Sequence, residues 1–456
     1  MITDEQYKRE KEAWVTDCTG GSIAEILTVC ATFVGSHCLW CALRRNGWSD
    51  DNSYLVQFVI YALPLLICQT VVADHAALVA TALLTTGLTM FYWHPMPSTN
   101  VPSTSNIKPY LTAYRAGTMI LTCIAILAVD FPIFPRRFAK VENFGTSLMD
   151  VGVGSFVFSS GIVASRGYTH GKQASSPFLS QMVKAIRSSL RILALGFLRM
   201  ILTKGVDYQQ HTSEYGLHWN FFFTLGFLPP FVTLISFLRK VCSFFVLGSI
   251  LAVGYQLLLT YGLQTWVLEA PRVTLISANK EGICSFIGYL SIFLFGLDCG
   301  TLIFSEPDVK KQPPSSTFSS SANYRTARGL TVRATGYWLA LTLWNWLTAD
   351  QEGLHVSRRL TNLPYIIWVI AFNITLLAAL IWIEWMDGQA HSSPLLLQAI
   401  NKHGLPTFLL ANVLTGVINL SMKTLYASTT VSLTVCGCYI AVVTLVPSLL
   451  WLQFRV

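Results

Sequence analysis

Charge is scarce in this chain. Of its 456 residues only 12% are Asp, Glu, Lys or Arg, about half the share of an ordinary soluble domain. That scarcity, beside 53% hydrophobic residues, excludes a water-soluble enzyme and leaves a membrane protein. The net charge of +8 is small and dispersed. It gives no basis for a nucleic-acid partner and fits instead the basic loop excess of a polytopic protein. The N-terminal MITDEQYKREKEAWVTDCTGG lacks the apolar core of a signal peptide, so the first span is expected to act as its own insertion signal. The 11 cysteines lie mostly inside apolar runs and read as small hydrophobes. Cys38-x-x-Cys41 and Cys436-x-Cys438 have no second ligand pair near them, so no metal and no bound cofactor is expected.

Familiar catalytic signatures are missing too. No His-x-x-x-x-Asp motif of the soluble glycerolipid acyltransferases occurs, nor a Gly-x-Ser-x-Gly elbow, nor a P-loop. A covalent serine mechanism therefore has no support in the sequence.

What the chain does hold is apolar runs of about 17–25 residues recurring to its last residues. They imply an all-α fold, a polytopic transmembrane helical bundle of about 13 spans. The weakest runs are 181–203, which carries Arg187, Arg191 and Arg199 on one helical face, and 334–349, short for a crossing. The expected organisation is a polar N-terminal segment (1–21), a membrane bundle (22–304) holding the active site, a Ser/Pro-rich loop (305–333) and further C-terminal spans (334–456). The loop reads as a hinge between two bundles. A second Pro/Ser-rich stretch at 94–109 also reads as unstructured. A slight basic excess on one set of loops favours an N-terminus in the lumen and the 305–333 loop in the cytosol. The sequons at Asn373 and Asn419 fall inside spans, where no glycan is expected.

The stretch DFPIFPRRFAKVENFGTSLMDVGVGSFVFSSGIVASR (130–166) concentrates the chemistry. Asp130 ends one apolar run; Arg136, Arg137 and Lys140 follow before the next begins. Charge at a membrane boundary is costly and calls for a reason. On a straight helix Asp130 and Lys140 would stand about 15 Å apart at 1.5 Å per residue. Pro132 and Pro135 forbid a straight helix, so the chain can bend back and bring the two near one substrate. The carboxylate would then abstract a proton from an alcohol and the ammonium would stabilise an oxyanion. The competing reading is an interfacial ion pair that anchors two helices. Arg136 and Arg137 suit a phosphodiester or coenzyme phosphate, which guanidinium pairs in a bidentate fork, or the lipid head groups.

Inside the following run, Gly145, Gly152, Gly154 and Gly161 alternate with serines, Ser155 among them. Small residues let helices approach closely and also leave room for an acyl chain. Asp150 in the same run is costly without a partner. Further on, Asp207, His211, Glu214, His218 and Asn220 precede a span. His211, Glu214 and His218 share a helical face without matching a zinc pattern, and a polar pocket for a sugar head group is the better expectation.

Five segments resemble the GPI inositol acyltransferase family: VTDCTGGSIAEI (15–26), VDFPIFPRRFAKVENFGTSLMDVGVGSFVFSSGIVASR (129–166), LTKGVDYQQHTSEYGLHWNFFFTL (202–225), SRRLTNLPYIIWV (357–369) and ANVLTGVINLSM (411–422). The resemblance implies a multi-pass O-acyltransferase of the endoplasmic reticulum membrane. It implies palmitoyl-CoA as acyl donor substrate and the inositol hydroxyl of glucosaminyl-phosphatidylinositol, a membrane lipid, as acceptor in GPI-anchor biosynthesis. The family's catalytic Asp and Lys fall on Asp130 and Lys140. Arg136, Arg137, Asp150, Ser155, His211, Glu214, His218 and Asn220 are the candidate substrate contacts. A transporter or flippase of an anionic lipid is the alternative that the same charges permit.

Overall fold

A chain in hydrocarbon must satisfy its backbone hydrogen bonds internally, and a helix does so within one segment. The computed structural model describes residues 4–48, 53–93, 108–169, 177–204, 212–304, 317–388 and 393–453. Among them the ordered elements are helices, with no strand. Ten are long and apolar enough to cross a membrane. Three of the expected thirteen spans fall short of that standard. Tyr54–Gln69 is a shorter apolar helix. Phe178–Lys204 is studded with Lys184, Arg187, Arg191 and Arg199. The third, Thr317–Leu347, is polar through its first half.

Eight helices matter most to the site and are numbered in chain order: α1 (Asp4–Val15), α2 (Pro109–Ala128), α3 (Leu148–Thr169), α4 (Phe178–Lys204), α5 (Phe221–Ser236), α6 (Lys280–Phe304), α7 (Leu363–Asp387) and α8 (Gly404–Ser421). Helices α2, α6 and α7 are the most thoroughly enclosed, and α7 packs against α2, α3 and α6. Glycine sets how close α3 and α6 come. A Cβ at Gly161 would strike the Phe293 carbonyl, and one at Gly296 the Phe158 carbonyl. Only hydrogen fits at either point, as small-residue helix contacts require.

Between α2 and α3 the chain leaves the helix as Pro132 and Pro135 dictate. Residues 129–147 make a compact excursion with one 3-10 turn, Arg136–Phe138. Phe131, Phe134 and Phe138 plug it into the core. Two ties fix its far end: Gly21 N donates to the Thr146 carbonyl at 2.8 Å, and Gly145 N to the Val356 carbonyl at 2.8 Å. The expected bend between Asp130 and Lys140 is present.

Within the polar N-terminal segment, residues 4–15 form a helix. Two organisational expectations are corrected. Residues 317–347 make one helix of 31 residues, so much of the expected 305–333 loop is helical; residues 305–316, like 94–107, lie outside the described residues. Finally, one apolar core runs from Cys18 to Val443. Among the described residues the C-terminal helices interleave with the N-terminal ones in this core, rather than forming a separate bundle.

Candidate functional site: a cavity with a charged head and an apolar arm

Asp130 sits two residues past the end of α2. Its Oδ2 accepts from Asn419 Nδ2 at 2.8 Å, and its Oδ1 lies 3.4 Å from Lys11 Nζ. Lys11 also donates to Asn419 Oδ1 at 2.8 Å. The carboxylate is thus clasped by α1 from one end of the chain and α8 from the other.

Lys140 emerges from the same excursion and donates to Glu214 Oε2 at 2.8 Å. The other oxygen of Glu214 accepts from Arg358 Nη1 at 3.3 Å. Arg358 Nε in turn donates to Asp150 Oδ1 at 2.7 Å. Asp150 Oδ2 accepts from Ser147 Oγ at 2.8 Å and from Val141 N at 3.2 Å. The four charges alternate in sign along this chain, and its buried members, Asp150 and Arg358, are both paired. An unpaired charge there would be expensive. Burial pushes the Glu214 carboxyl up, but Lys140 and Arg358 outweigh it and bring it down to about 2. Burial likewise disfavours the Arg358 cation, and Glu214 and Asp150 more than offset it, raising it well above the ordinary guanidinium value.

Asp130 and Lys140 pair with different partners, yet both line one cavity of about 1360 Å³. Its charged head also includes Lys11, Arg199, Glu214, His218, Arg358 and Asn419. From there an apolar arm runs between α2, α3, α5, α7 and α8, lined by such residues as Leu121, Ala125, Phe156, Leu376 and Val413. A hydrocarbon chain fits the arm and a polar head group the opposite end. Gly152 opens onto this space, where a Cβ would meet nothing nearer than Thr122 Oγ1 at 3.6 Å.

The chain matches the family model described as GWT1 over residues 7–450. It is 40% identical to GPI-anchored wall transfer protein 1 of Yarrowia lipolytica, over 94% of this chain and 95% of the relative. To the proteins of that name from Gibberella zeae and Saccharomyces cerevisiae it is 38% and 37% identical, over 96% and 92% of this chain and 96% and 93% of theirs. The chain belongs to the GWT1 family.

In this GWT1-family chain the remaining candidates divide by position. Glu214, His218, Asn220 and Ser155 all line the cavity. Asn220 spends its side chain as the N-cap of α5, accepting from Phe222 N at 3.0 Å and donating to the Gly196 carbonyl at 3.0 Å. Among the described residues, Ser155 Oγ and His218 Nδ1 are buried without a hydrogen-bond partner. Asp150 is buried beneath the head and holds Arg358. Arg136 and Arg137 are not among the lining residues. Arg136 donates to the carbonyls of Trp14 (3.1 Å), Val129 (2.8 Å) and Phe134 (3.3 Å) and stacks over the Trp14 ring; burial lowers it to about 10. Arg137 binds Glu25 at 2.6 Å and also Asp74. Both act as ties between α1, the 129–147 excursion and its neighbours, and this placement offers no support for a phosphate contact. His211 and Asp207 lie outside the described residues. Among those described, no three His, Cys, Asp or Glu side chains converge as metal ligands would.

Three members of the head escaped sequence reasoning. Arg358 stood in a segment marked only by family likeness, Asn419 drew notice only as a sequon and within another such segment, and Lys11 lay in the polar N-terminal segment. The unmet cost of Asp150 was the one signal that called for Arg358.

Proposed function

We propose that this protein is an O-acyltransferase of the endoplasmic reticulum membrane that moves palmitoyl from palmitoyl-CoA to the inositol hydroxyl of glucosaminyl-phosphatidylinositol, a step of GPI-anchor biosynthesis. The observation that carries the reading is a single cavity holding Asp130, Lys140 and an apolar arm. The naming of its relatives as GPI-anchored wall transfer proteins supports the pathway.

In this reading the arm holds the acyl chain and the thioester lies in the charged head. Asp130, aimed by Asn419 and Lys11, takes the proton of the inositol hydroxyl as its oxygen attacks the thioester carbonyl carbon. Lys140, held by Glu214, donates to the carbonyl oxygen as it becomes anionic. The oxyanion collapses, the C–S bond breaks, and the proton passes to the departing coenzyme A sulfur. No acyl-enzyme is required. A donor already placed where charge develops acts without reorganisation, which makes such stabilisation strong.

Purified protein given radiolabelled palmitoyl-CoA and glucosaminyl-phosphatidylinositol should form the acylated lipid. Asp130→Asn and Lys140→Ala should each lower kcat about 100-fold or more while eluting as the folded protein does. Full activity in both folded variants would remove the assignment. Movement of labelled lipid across proteoliposomes with no acylated product would favour a lipid transporter instead.

A further inference from the structure

The apolar arm has an end, and the end is aromatic. Along α2 the lining residues Thr118, Leu121, Thr122, Ala125 and Ile126 recur with helical spacing on one face. From Thr118 to the end of α2 at Ala128 the helix climbs about 15 Å at 1.5 Å per residue, with Asp130 just beyond it, a depth suited to a long saturated chain. At the Thr118 level the Phe408 ring of α8 stands amid three others. Its centroid lies 6.1 Å from those of Phe156 and Phe221 and 6.2 Å from that of Phe222. Phe156 and Phe221 are themselves 6.2 Å apart.

Behind these rings lies a second cavity of about 150 Å³. Thr118, Phe156, Phe221, Phe222 and Phe408 line both spaces, so the four rings form the partition between them. The far side is small and mostly apolar, with Met119, Leu225, Ile400 and Leu405 on its walls; its polar groups are Arg115, which donates to Asn401 Oδ1 at 2.7 Å, and Ser159 and Ser160. A chain passing the rings would have to force this packed cluster apart, which favours stopping it in front of them.

We propose that the Phe408 ring, wedged among Phe156, Phe221 and Phe222, is the end wall of the arm and sets the length of acyl chain that the site accepts. The inference rests on the acyltransferase reading and adds the residue that selects among donors. Phe408 touches the far end of the chain and none of the reacting atoms. Replacing it changes which donor is used rather than how the ester forms.

The test is the donor profile of purified protein with acyl-CoAs of graded length from lauroyl to arachidoyl. Pocket discrimination per excess methylene reaches about tenfold or more, so the wild type should reject donors longer than palmitoyl by at least that factor. Phe408→Ala joins the two cavities, and the preference for palmitoyl over stearoyl and arachidoyl should fall about tenfold. Gly152→Leu acts from the opposite side. It places bulk in the arm about 6 Å nearer the head, at four residues before Phe156, and should shift the preference to shorter chains. It also keeps the proposal testable should Phe408→Ala fail to fold. An active wild type with the same length profile in both variants overturns the wall alone. A wild type inert with every donor overturns the wall together with the acyltransferase reading.

Discussion

Asn419 and Asp130 are 289 residues apart in sequence and 2.8 Å apart in space. Losing a hydrogen bond to a charged group is worth about 1.5–3 kcal/mol. Asn419→Ala should therefore lower kcat about tenfold or more, with the KM for either substrate unchanged. Steady-state kinetics on the purified variant checks this; a pure KM effect would move Asn419 from aiming the carboxylate to binding. Glu214 makes a different prediction. Its folded value of about 2 lies below the ordinary 4.5, so its ionised form stabilises the fold above 4.5. That contribution is lost as pH falls from about 4.5 through 2. Thermal unfolding in detergent should show a loss of stability across this window that is smaller in Glu214→Gln, and no Glu214-dependent change between pH 6 and 8. At this scale the sequence exposes residues through the cost of their charge. Asp130, Lys140 and Asp150 stand out because ions at membrane boundaries need partners. The partners stay hidden, since Arg358, Lys11 and Asn419 meet them only through tertiary packing. Arg136 and Arg137 stood out for the same cost, and the structure spends them on backbone carbonyls and on Glu25 and Asp74.

Small residues serve two ends within the single helix α3. Gly161 meets the backbone of α6, whereas Gly152 faces open cavity. Gly161→Leu should destabilise the protein by about 1–3 kcal/mol or more, because α3 and α6 must separate to admit the side chain. Gly152→Ala should leave thermal stability close to wild type. Paired melting curves in one detergent decide the matter, and equal losses would mean that both glycines are packed. Composition foretold both uses of these residues but not which glycine had which, since that depends on the helix opposite. Two helices that the sequence did not announce share a cause. Asp4–Val15 and the first half of Thr317–Leu347 are polar helices without an apolar face strong enough to announce them. Helix α1 gains its hold from contacts no periodicity reveals, with Lys11 on Asn419, Tyr7 Oη 3.3 Å from Thr424 Oγ1, and the Tyr7 ring against Tyr426.

Across the whole molecule the charged head of the cavity draws on nearly the full length of chain. Lys11, Asp130, Lys140, Glu214, Arg358 and Asn419 all line one space, and α7 packs between Thr317–Leu347 and helices of the N-terminal part. The apolar runs made the helical class legible, yet the Ser/Pro-rich stretch after Phe304 suggested two bundles where the described helices share one core. Composition records what a segment prefers alone, whereas burial of α7 takes the neighbouring Thr317–Leu347 together with Ile23–Arg45, α2, α3 and α6 from the other half of the chain. A chain divided between Phe304 and Thr317 should therefore behave as one folding unit in two pieces. Residues 1–304 expressed alone hold Asp130, Lys140 and Glu214 but lack Asn419, Arg358 and the α7 and α8 walls of the arm. That piece should show no acyl transfer. Residues 317–456 alone should aggregate, because α7 would present its buried surface. Co-expressed, the pieces should purify as an equimolar complex and recover transfer to within about tenfold of the intact chain, since loop closure contributes only weakly with length. Transfer by 1–304 on its own would show that the head is complete without α7 and α8, and the clasp on Asp130 would then lose its place in the mechanism.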